Sequence, residues 1–496
     1  MEPRTLQYIA QACAGEQLTG QADTLASRVS TDSRSVATGD LFVALRGDRF
    51  DGHNFLEEVE LKGVVAVVVE RSALPVPPLN LAVIAVENTR SALGRLAACY
   101  RHDFDLSVVA VAGSNGKSTT KELIAAVARQ ALSTLASEAS FNNDIGVPLT
   151  LLRLEDRHRA AVLEVGTNHP GELAPLVAMI EPQVGVITSL GREHLEFFGD
   201  LDGVAKEEGM LAELLPASGR LFLNTSNGAA AEQIARRSRA PVVRFGWDAQ
   251  NDWSAVPTQF DETGTTFLAR APRADFSGSY RVNLLGRHQV LNALLAVAVG
   301  AELGLSVEQV RAGLAECRPL KMRLQLWETN GLRVLDDCYN ANADSLRAAL
   351  QTLSDLPCAG RRIAVLGDMA ELGAHSREAH EDAGRWAAEF GFSQLFTIGK
   401  QAHVTAQNAR DAGAQEVHEF AEVGEAVRVL KATVRAGDLV LLKASRVAGL
   451  ERVSEALKQF KVPPQGGNGA APALPSESIR ALPPSGGTPS LAGSRH

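Results

Sequence analysis

The decapeptide Val111-Ala-Gly-Ser-Asn-Gly-Lys-Ser-Thr-Thr120 constrains this chain more than any other stretch. The apolar run Leu106–Ala112 leading into it reads as a buried strand. Lys121–Gln130 after it has helical spacing and good helix formers. A strand, a glycine-rich turn and a helix N-terminus make a cradle for phosphate. Backbone N–H groups of Gly113, Ser114, Asn115 and Gly116 point at the oxygens, and Lys117 supplies positive charge. The Ser118 hydroxyl, with Thr119 beside it, can hold Mg²⁺. The general phosphate-loop pattern has a glycine five residues before Gly116, and here that residue is Val111. The alternative for the bare G-x-x-G-K-S is a chance glycine turn.

A chain of 496 residues exceeds one compact core, so three domains are expected. The 45% apolar and 22% charged residues suit ordinary globular domains. A net charge of −9 argues against a general nucleic-acid or acidic-membrane partner. It leaves room for anionic small molecules held by local Lys and Arg. Five scattered cysteines form no C-x-x-C pair, which argues against a zinc site or a disulfide framework. Met1–Ala10 is charged without an apolar signal core, and no window approaches a membrane span. A cytoplasmic enzyme is expected, a monomer that binds no nucleic acid and does not insert into membranes.

Along the chain, residues 1–105 form a first unit with buried strands at Val64–Val69 and Leu81–Val86. In 106–318 short apolar runs alternate with helices, at Val108–Ala112, Ala161–Val165, Val184–Thr188 and Leu221–Asn224. In 319–460 the alternation recurs, with strands at Leu332–Leu335, Arg362–Leu366, Leu395–Ile398 and Leu439–Leu442. Both units therefore read as α/β with parallel sheets and crossover helices. The tail, 461–496, is rich in Pro, Gly, Ser and Ala and is expected to be disordered. Polar clusters at Gly113–Ser118, Glu164, Asp336–Asn342, Gly367–Glu371 and Lys443–Arg446 all follow strands. Open α/β sheets bind ligands at those carboxyl ends.

Taken in order, ten motifs make the chain resemble the Mur ligases, ATP-dependent amino-acid-adding enzymes of peptidoglycan synthesis. They are T-D-S-R at 31–34, D-G-H at 51–53, G-S-N-G-K-S-T at 113–119, N-N-D-I-G-V-P at 142–148 and E-V-G-T-N-H at 164–169. H-L-E-F-F-G at 194–199, G-R-H-Q-V-L-N at 286–292, D-D-C-Y-N-A-N at 336–342, G-D-M-A-E-L-G at 367–373 and K-A-S-R at 443–446 complete the set. The resemblance implies a small α/β N-terminal domain for the UDP-sugar, a central ATPase domain and a C-terminal Rossmann-like domain that recruits the amine. It implies ATP and Mg²⁺ as cofactors. The G-D-M-A-E-L-G stretch, and the lack of an Asp-Asn-Pro-Arg run, favour the member that joins D-alanyl-D-alanine to UDP-N-acetylmuramoyl-tripeptide. These two small molecules would then be the partners.

The resemblance also assigns residues. Thr31, Ser33 and Arg34 would hold the nucleotide-sugar; the alternative is a turn with a surface ion pair between Asp32 and Arg34. Glu164 and His194 would share a second Mg²⁺, although magnesium prefers oxygen and a buried, satisfied histidine is the alternative. Asn142, Asn143, Asn168 and His169 would face substrate, or in the asparagines' case only stabilise turns. His288 and Asn292, four apart on a helix, would meet the adenine, or only pack on the sheet. Arg323 would reach the ATP phosphates, although the glycine that precedes it in the family is Met322 here. Asp337 would contact the nucleotide. Asp368, Lys443, Ser445 and Arg446 would serve the dipeptide; the alternative for the last three is a solvated basic loop, and Ala444 replaces the usual glycine of K-G-S-R. Lys117, Glu164, His194 and Arg323 would be the catalytic set.

One departure concerns the metal. Most of the family carries a lysine, converted by CO₂ to a carbamate, on the helix after the histidine motif. That position falls on Glu208. Lys206, two residues away at ~100° per residue, would project from nearly the opposite face. Glu208 would supply a permanent carboxylate for the second metal, acting through a bridging water; the alternative is a solvated surface residue. The competing functions are another amino-acid adder or folate polyglutamate synthetase of the same superfamily, and a nucleotide-binding regulator that has lost catalysis.

Overall fold

The computed structural model describes residues 1–47 and 49–461. The expected tail, 461–496, lies outside the described residues apart from Lys461.

Three sheets organise the chain, and each is mostly parallel with helices packed on its faces. In the first, the strands run Glu16–Gln17, Ala82–Val86, Ala66–Glu70, Asp40–Val43 and Arg28–Ser30, with only the first pairing antiparallel. The second has nine strands. Its parallel part runs Val242–Gly246, Arg220–Asn224, Val184–Ile187, Ser107–Ala112, Ala160–Glu164 and Thr134–Ala136. The third has six, in the order Gln325–Thr329, Leu332–Asp337, Leu439–Lys443, Arg362–Gly367, Gln394–Ile398 and Val417–Phe420. Strands buried on both faces must be apolar throughout, and Val108–Ala112, Ala161–Leu163 and Leu439–Leu442 are all fully buried.

Ser107–Ala112 is the strand that positions the site. It lies between Ala160–Glu164 and Val184–Ile187, where the chain order along the sheet reverses. Such a reversal opens a crevice at the carboxyl ends of the strands. The phosphate-loop run leaves the sheet at that point. The following helix spans Lys117–Ala128, beginning four residues before the expected Lys121. Ser118, Thr119 and Thr120 are modest helix formers, but Gly116, at φ +87°, turns the chain directly into helical geometry.

The central sheet also extends where no strand was expected. Trp253–Asp261, Gly264–Arg270 and Gly278–Val282 form an antiparallel meander at its edge. Pro257 lies in its first strand, and the register shifts between Pro257 and Gln259. A proline without an N–H is accommodated at such a bulge, although in the sequence it reads as a strand breaker.

Candidate active site

The three units enclose one cleft of about 1810 Å³. Its walls include the phosphate loop, Glu164, the loop through Asn142 and Asn143, the helix bearing His288 and Asn292, and strand-end loops of the third sheet. The cleft thus sits where both large sheets present their strand ends.

The phosphate loop is shaped by two glycines. At Gly113, with φ +111°, a Cβ would meet the Thr188 hydroxyl at 2.6 Å and the Ser189 carbonyl at 2.8 Å. At Gly116 a Cβ would meet the Asn292 side-chain oxygen at 2.6 Å. Left-handed backbone and close approach both demand glycine here. The loop is fastened to its neighbour: Ser114 N–H donates to the Ser189 carbonyl (2.8 Å) and Asn115 N–H to the Ser189 hydroxyl (3.0 Å). Beyond Gly116 the first-turn N–H groups of the helix have no intrahelical acceptor and face the cleft.

Lys117 folds back over this loop. Its ammonium donates to the Gly113 and Ser114 carbonyls and lies 3.4 Å from a Glu193 carboxylate oxygen. Burial works to lower its pKa, but the carboxylates of Glu193, Glu208 and Glu164 outweigh burial and hold it above the ordinary value. Glu193 was not anticipated. It precedes His194 in the chain and looks like any surface glutamate, yet it is 9% exposed and burial raises its pKa.

Glu208 is 1% exposed, which rules out the solvated alternative. Its carboxylate accepts the Gly113 N–H at 2.7 Å. Burial, opposed by Lys117, pushes its pKa up to about 7. Lys206, two residues earlier, is exposed, as the helical phase requires.

Glu164, at the end of its strand, is also 1% exposed. One oxygen accepts from the Asn142 amide at 2.8 Å, and the other has no hydrogen-bond partner. A buried carboxylate oxygen without a partner is costly, and a hard cation is the group that would satisfy it. Ser118, across the cleft, is buried and accepts from Arg323 at 3.1 Å. His194 lies 2.7 Å from Glu371 of the third unit. Among the described residues no three His, Cys, Asp or Glu side chains meet as a metal cluster, so Glu164, His194 and Glu208 are not assembled as one ligand set.

Beside the phosphate loop, Asn292 packs over Gly116 and donates to Gln289 at 2.8 Å. His288 shares that helix, and burial lowers its pKa to about 4, which keeps the imidazole neutral near pH 7. Arg323 bridges from the third unit to Ser118, with its guanidinium 4.2 Å from the Tyr339 ring centroid. Met322 before it has φ +60°, the left-handed conformation that explains the family's glycine. Asp337 is paired with Lys443 at 2.8 Å and accepts the Leu324 N–H. Burial raises the Asp337 pKa against the opposing charge of Lys443.

Lys443 is therefore no solvated basic residue. It is 2% exposed, and it also donates to the Asn340 carbonyl at 2.7 Å. Ser445 is equally committed, donating to the Ala341 carbonyl and accepting the Ala370 N–H. Arg446 lines the cleft with an exposed guanidinium 3.4 Å from the Met322 sulfur. Ala444 fits in place of glycine because Gly367 faces it; a Cβ on Gly367 would lie 2.8 Å from the Ala444 Cβ.

Other expected substrate residues divide. Asn142, Asn143, Asn168 and His169 line the cleft, though the Asn143 oxygen also accepts two N–H groups of its own turn. The backbones of Asn168 and His169 are held by Glu172, and the His169 ring centroid lies 4.2 Å from that of Phe197. Asp368 stands apart from the cleft. Both its oxygens accept backbone N–H groups, of Lys400 and Gln401, so it braces the neighbouring turn rather than facing substrate. Thr31, Ser33 and Arg34 also lie outside this cleft, on the first sheet's own loop. There Arg34 forms the surface ion pair with Asp32 at 2.7 Å.

Comparison with known proteins agrees with this arrangement. Residues 26–101 match the Mur ligase family catalytic domain, 111–300 the Mur ligase middle domain, and 322–446 the Mur ligase glutamate ligase domain. The chain is 37% identical over 444 residues to the UDP-N-acetylmuramoyl-tripeptide–D-alanyl-D-alanine ligase of Escherichia coli, covering 88% of this chain and 95% of that protein. A crystal structure of MurF from Acinetobacter baumannii superposes with a TM-score of 0.84 at 31% identity, covering 92% of this chain and 99% of that one. MurF of Thermotoga maritima in complex with ADP superposes with a TM-score of 0.75 at 26% identity, covering 87% and 97%. The matches run from the first sheet to the last, and the chain belongs to the Mur ligase family.

Proposed function

We propose that this enzyme joins D-alanyl-D-alanine, the amine its relatives' names state, to UDP-N-acetylmuramoyl-tripeptide at the cost of one ATP. The observation that carries the reading is the convergence of Lys117, Glu164 and Arg323 on one cleft, with Arg323 crossing between units to Ser118. In the first step a tripeptide carboxylate oxygen attacks the γ-phosphorus of ATP and ADP leaves, giving an acyl phosphate. In the second, the dipeptide amine attacks the acyl carbon. The C–O bond to phosphate breaks, and an amide, inorganic phosphate and a proton result.

Both steps bring anions together, so positioning and cationic clamps supply most of the catalysis. Lys117 turns from the loop carbonyls to the β- and γ-phosphates. Arg323 closes from the opposite wall, and Asn292 and neutral His288 face the adenine. Asn142, Asn168 and His169 orient the tripeptide. Arg446, more exposed and paired only at a long 3.8 Å with Glu451, takes the dipeptide carboxylate, whereas Lys443 is closely paired with Asp337. Thr31, Ser33 and Arg34 hold the nucleotide-sugar from the first unit. The units themselves are taken to end near residues 105, 318 and 460.

Mg²⁺ would be held by the Ser118 hydroxyl and the unpartnered Glu164 oxygen, and a second ion by Glu164 and His194 once these side chains are brought together, with Glu208 acting through the loop it holds. When bound, the ion neutralises phosphate charge. Among the described residues no helix is long and apolar enough to cross a membrane. A monomer in the cytoplasm, where ATP and the UDP-linked precursor occur, completes the reading. The test is direct. Incubation with UDP-muramoyl-tripeptide, ATP, Mg²⁺ and D-alanyl-D-alanine should give a product heavier by the dipeptide less one water. No such product, or one formed with another amine instead, overturns it.

A further inference from the structure

The loop Gly367–Gly373 carries one side chain that the reaction has not used. Asp368 braces the Lys400–Gln401 turn. Met369 and Leu372 are buried in the core of the third unit, 4% and 2% exposed. The Met369 N–H is fixed by His380 and the Ala370 N–H by Ser445. The Glu371 side chain reaches across to the central unit.

It does so at a built junction. The Glu371 carboxylate lies 2.7 Å from Nδ1 of His194, misaligned for a hydrogen bond, so that Nδ1 is unpartnered until one group turns. Both residues hold left-handed backbone, His194 at φ +49° and Glu371 at φ +62°. Left-handed backbone is unfavourable for a non-glycine residue, and the surroundings must impose it. The junction is fastened on both sides of this contact. Glu196 N–H donates to the Glu371 carbonyl, His375 Nε2 lies 3.0 Å from the Gly199 carbonyl, and Gly373 packs on Glu196. Arg192 pairs with Asp344 close by.

A histidine that ligates through one ring nitrogen is oriented by the acceptor on the other. With Nδ1 turned to Glu371, Nε2 is the nitrogen left for the cleft. We propose that Glu371 is the positioning residue for His194, supplied from the third unit, so that the histidine is set for its cation only when the two units are closed on each other. The inference rests on the reading of His194 as a cation ligand. It adds that the ligand set cannot be completed by the central unit alone.

The test measures binding rather than turnover. Mn²⁺ is titrated into the full-length protein with a non-hydrolysable ATP analogue, and free Mn²⁺ is counted by electron paramagnetic resonance. Glu371→Ala should weaken the Mn²⁺ that His194 holds by about 10- to 100-fold. Glu371→Gln, which keeps an oxygen acceptor, should restore affinity to within a few-fold. The double variant His194→Ala/Glu371→Ala should bind no more weakly than His194→Ala, because the two residues act as one unit. The Glu371 side chain is 48% exposed, so its truncation does not threaten the fold. Wild-type affinity in Glu371→Ala, or additive losses in the double variant, overturns the inference and leaves His194 a ligand. Unchanged affinity in His194→Ala overturns both.

Discussion

Two lysines in this enzyme follow buried parallel strands, and they have opposite surroundings. Lys117 sits beyond Ser107–Ala112 on a loop whose own carbonyls and Glu193 hold it, within reach of any phosphate that enters. Lys443 ends the strand Leu439–Lys443, where Asp337 and the Asn340 carbonyl hold it deep between strands. In sequence both read as cations at the mouth of a sheet. What separates them is the partner. Lys117 faces a glycine-lined opening and can exchange its acceptors, whereas Lys443 closes a buried ion pair and cannot leave without stranding a carboxylate.

The comparison breaks most readily at Lys117. Lys117→Ala should lower kcat by roughly 10²–10³ or more, and should also cost stability because it removes the cation held between Glu193 and Glu208. Turnover within a few-fold of wild type would remove this loop from the chemistry. Lys443→Ala should act mainly on stability, costing about 3–5 kcal/mol because it leaves Asp337 enclosed without its cation. Lys443→Ala/Asp337→Asn should recover a good part of that loss in denaturant unfolding. A Lys443→Ala protein as stable as wild type but with a raised KM for D-alanyl-D-alanine would make Lys443 a substrate residue after all.

Glu208 sharpens the contrast from the carboxylate side. Its folded pKa, about 7, stands above the unfolded value of 4.5. Its protonated form is favoured by folding, so its contribution is fully present below pH 4.5 and is lost as pH rises through 7. Glu208→Gln should therefore gain on wild type between pH 5 and pH 8, by an amount of order 3 kcal/mol, read from urea midpoints at each pH. The same variant should impair Mg²⁺-dependent turnover, and wild-type turnover should not respond to bicarbonate. A stability difference that is flat with pH would show that Glu208 is ionised throughout. The smallest effect is expected at Met322, whose left-handed backbone costs about 1 kcal/mol. Met322→Gly should relieve that cost but lose the packing of a side chain 8% exposed, leaving a net change within about 1 kcal/mol of zero.

Local order was legible because it is written locally. Every strand expected in the three sheets forms within two residues of its apolar run, since a strand buried on both faces has no other composition open to it. The phosphate loop was legible for the same reason. What escaped was set by partners distant in the chain. Glu193 becomes part of the site only because its loop folds against Gly113–Lys117, and Gln289 only because Asn292 needs an acceptor. Asp368 has the residue type of a binding group and the position of a brace. The meander from Trp253 to Val282 was hidden by Pro257, which a bulge accommodates.

The contact between Gly367 and Ala444 carries a rule for changing this enzyme. The ends of two adjacent strands share room for a single methyl group, and here Ala444 holds it. Neither position is then free by itself: adding a methyl at 367 requires giving one up at 444. Related sequences should show the two residues varying as a pair, with their combined volume held constant although each member changes.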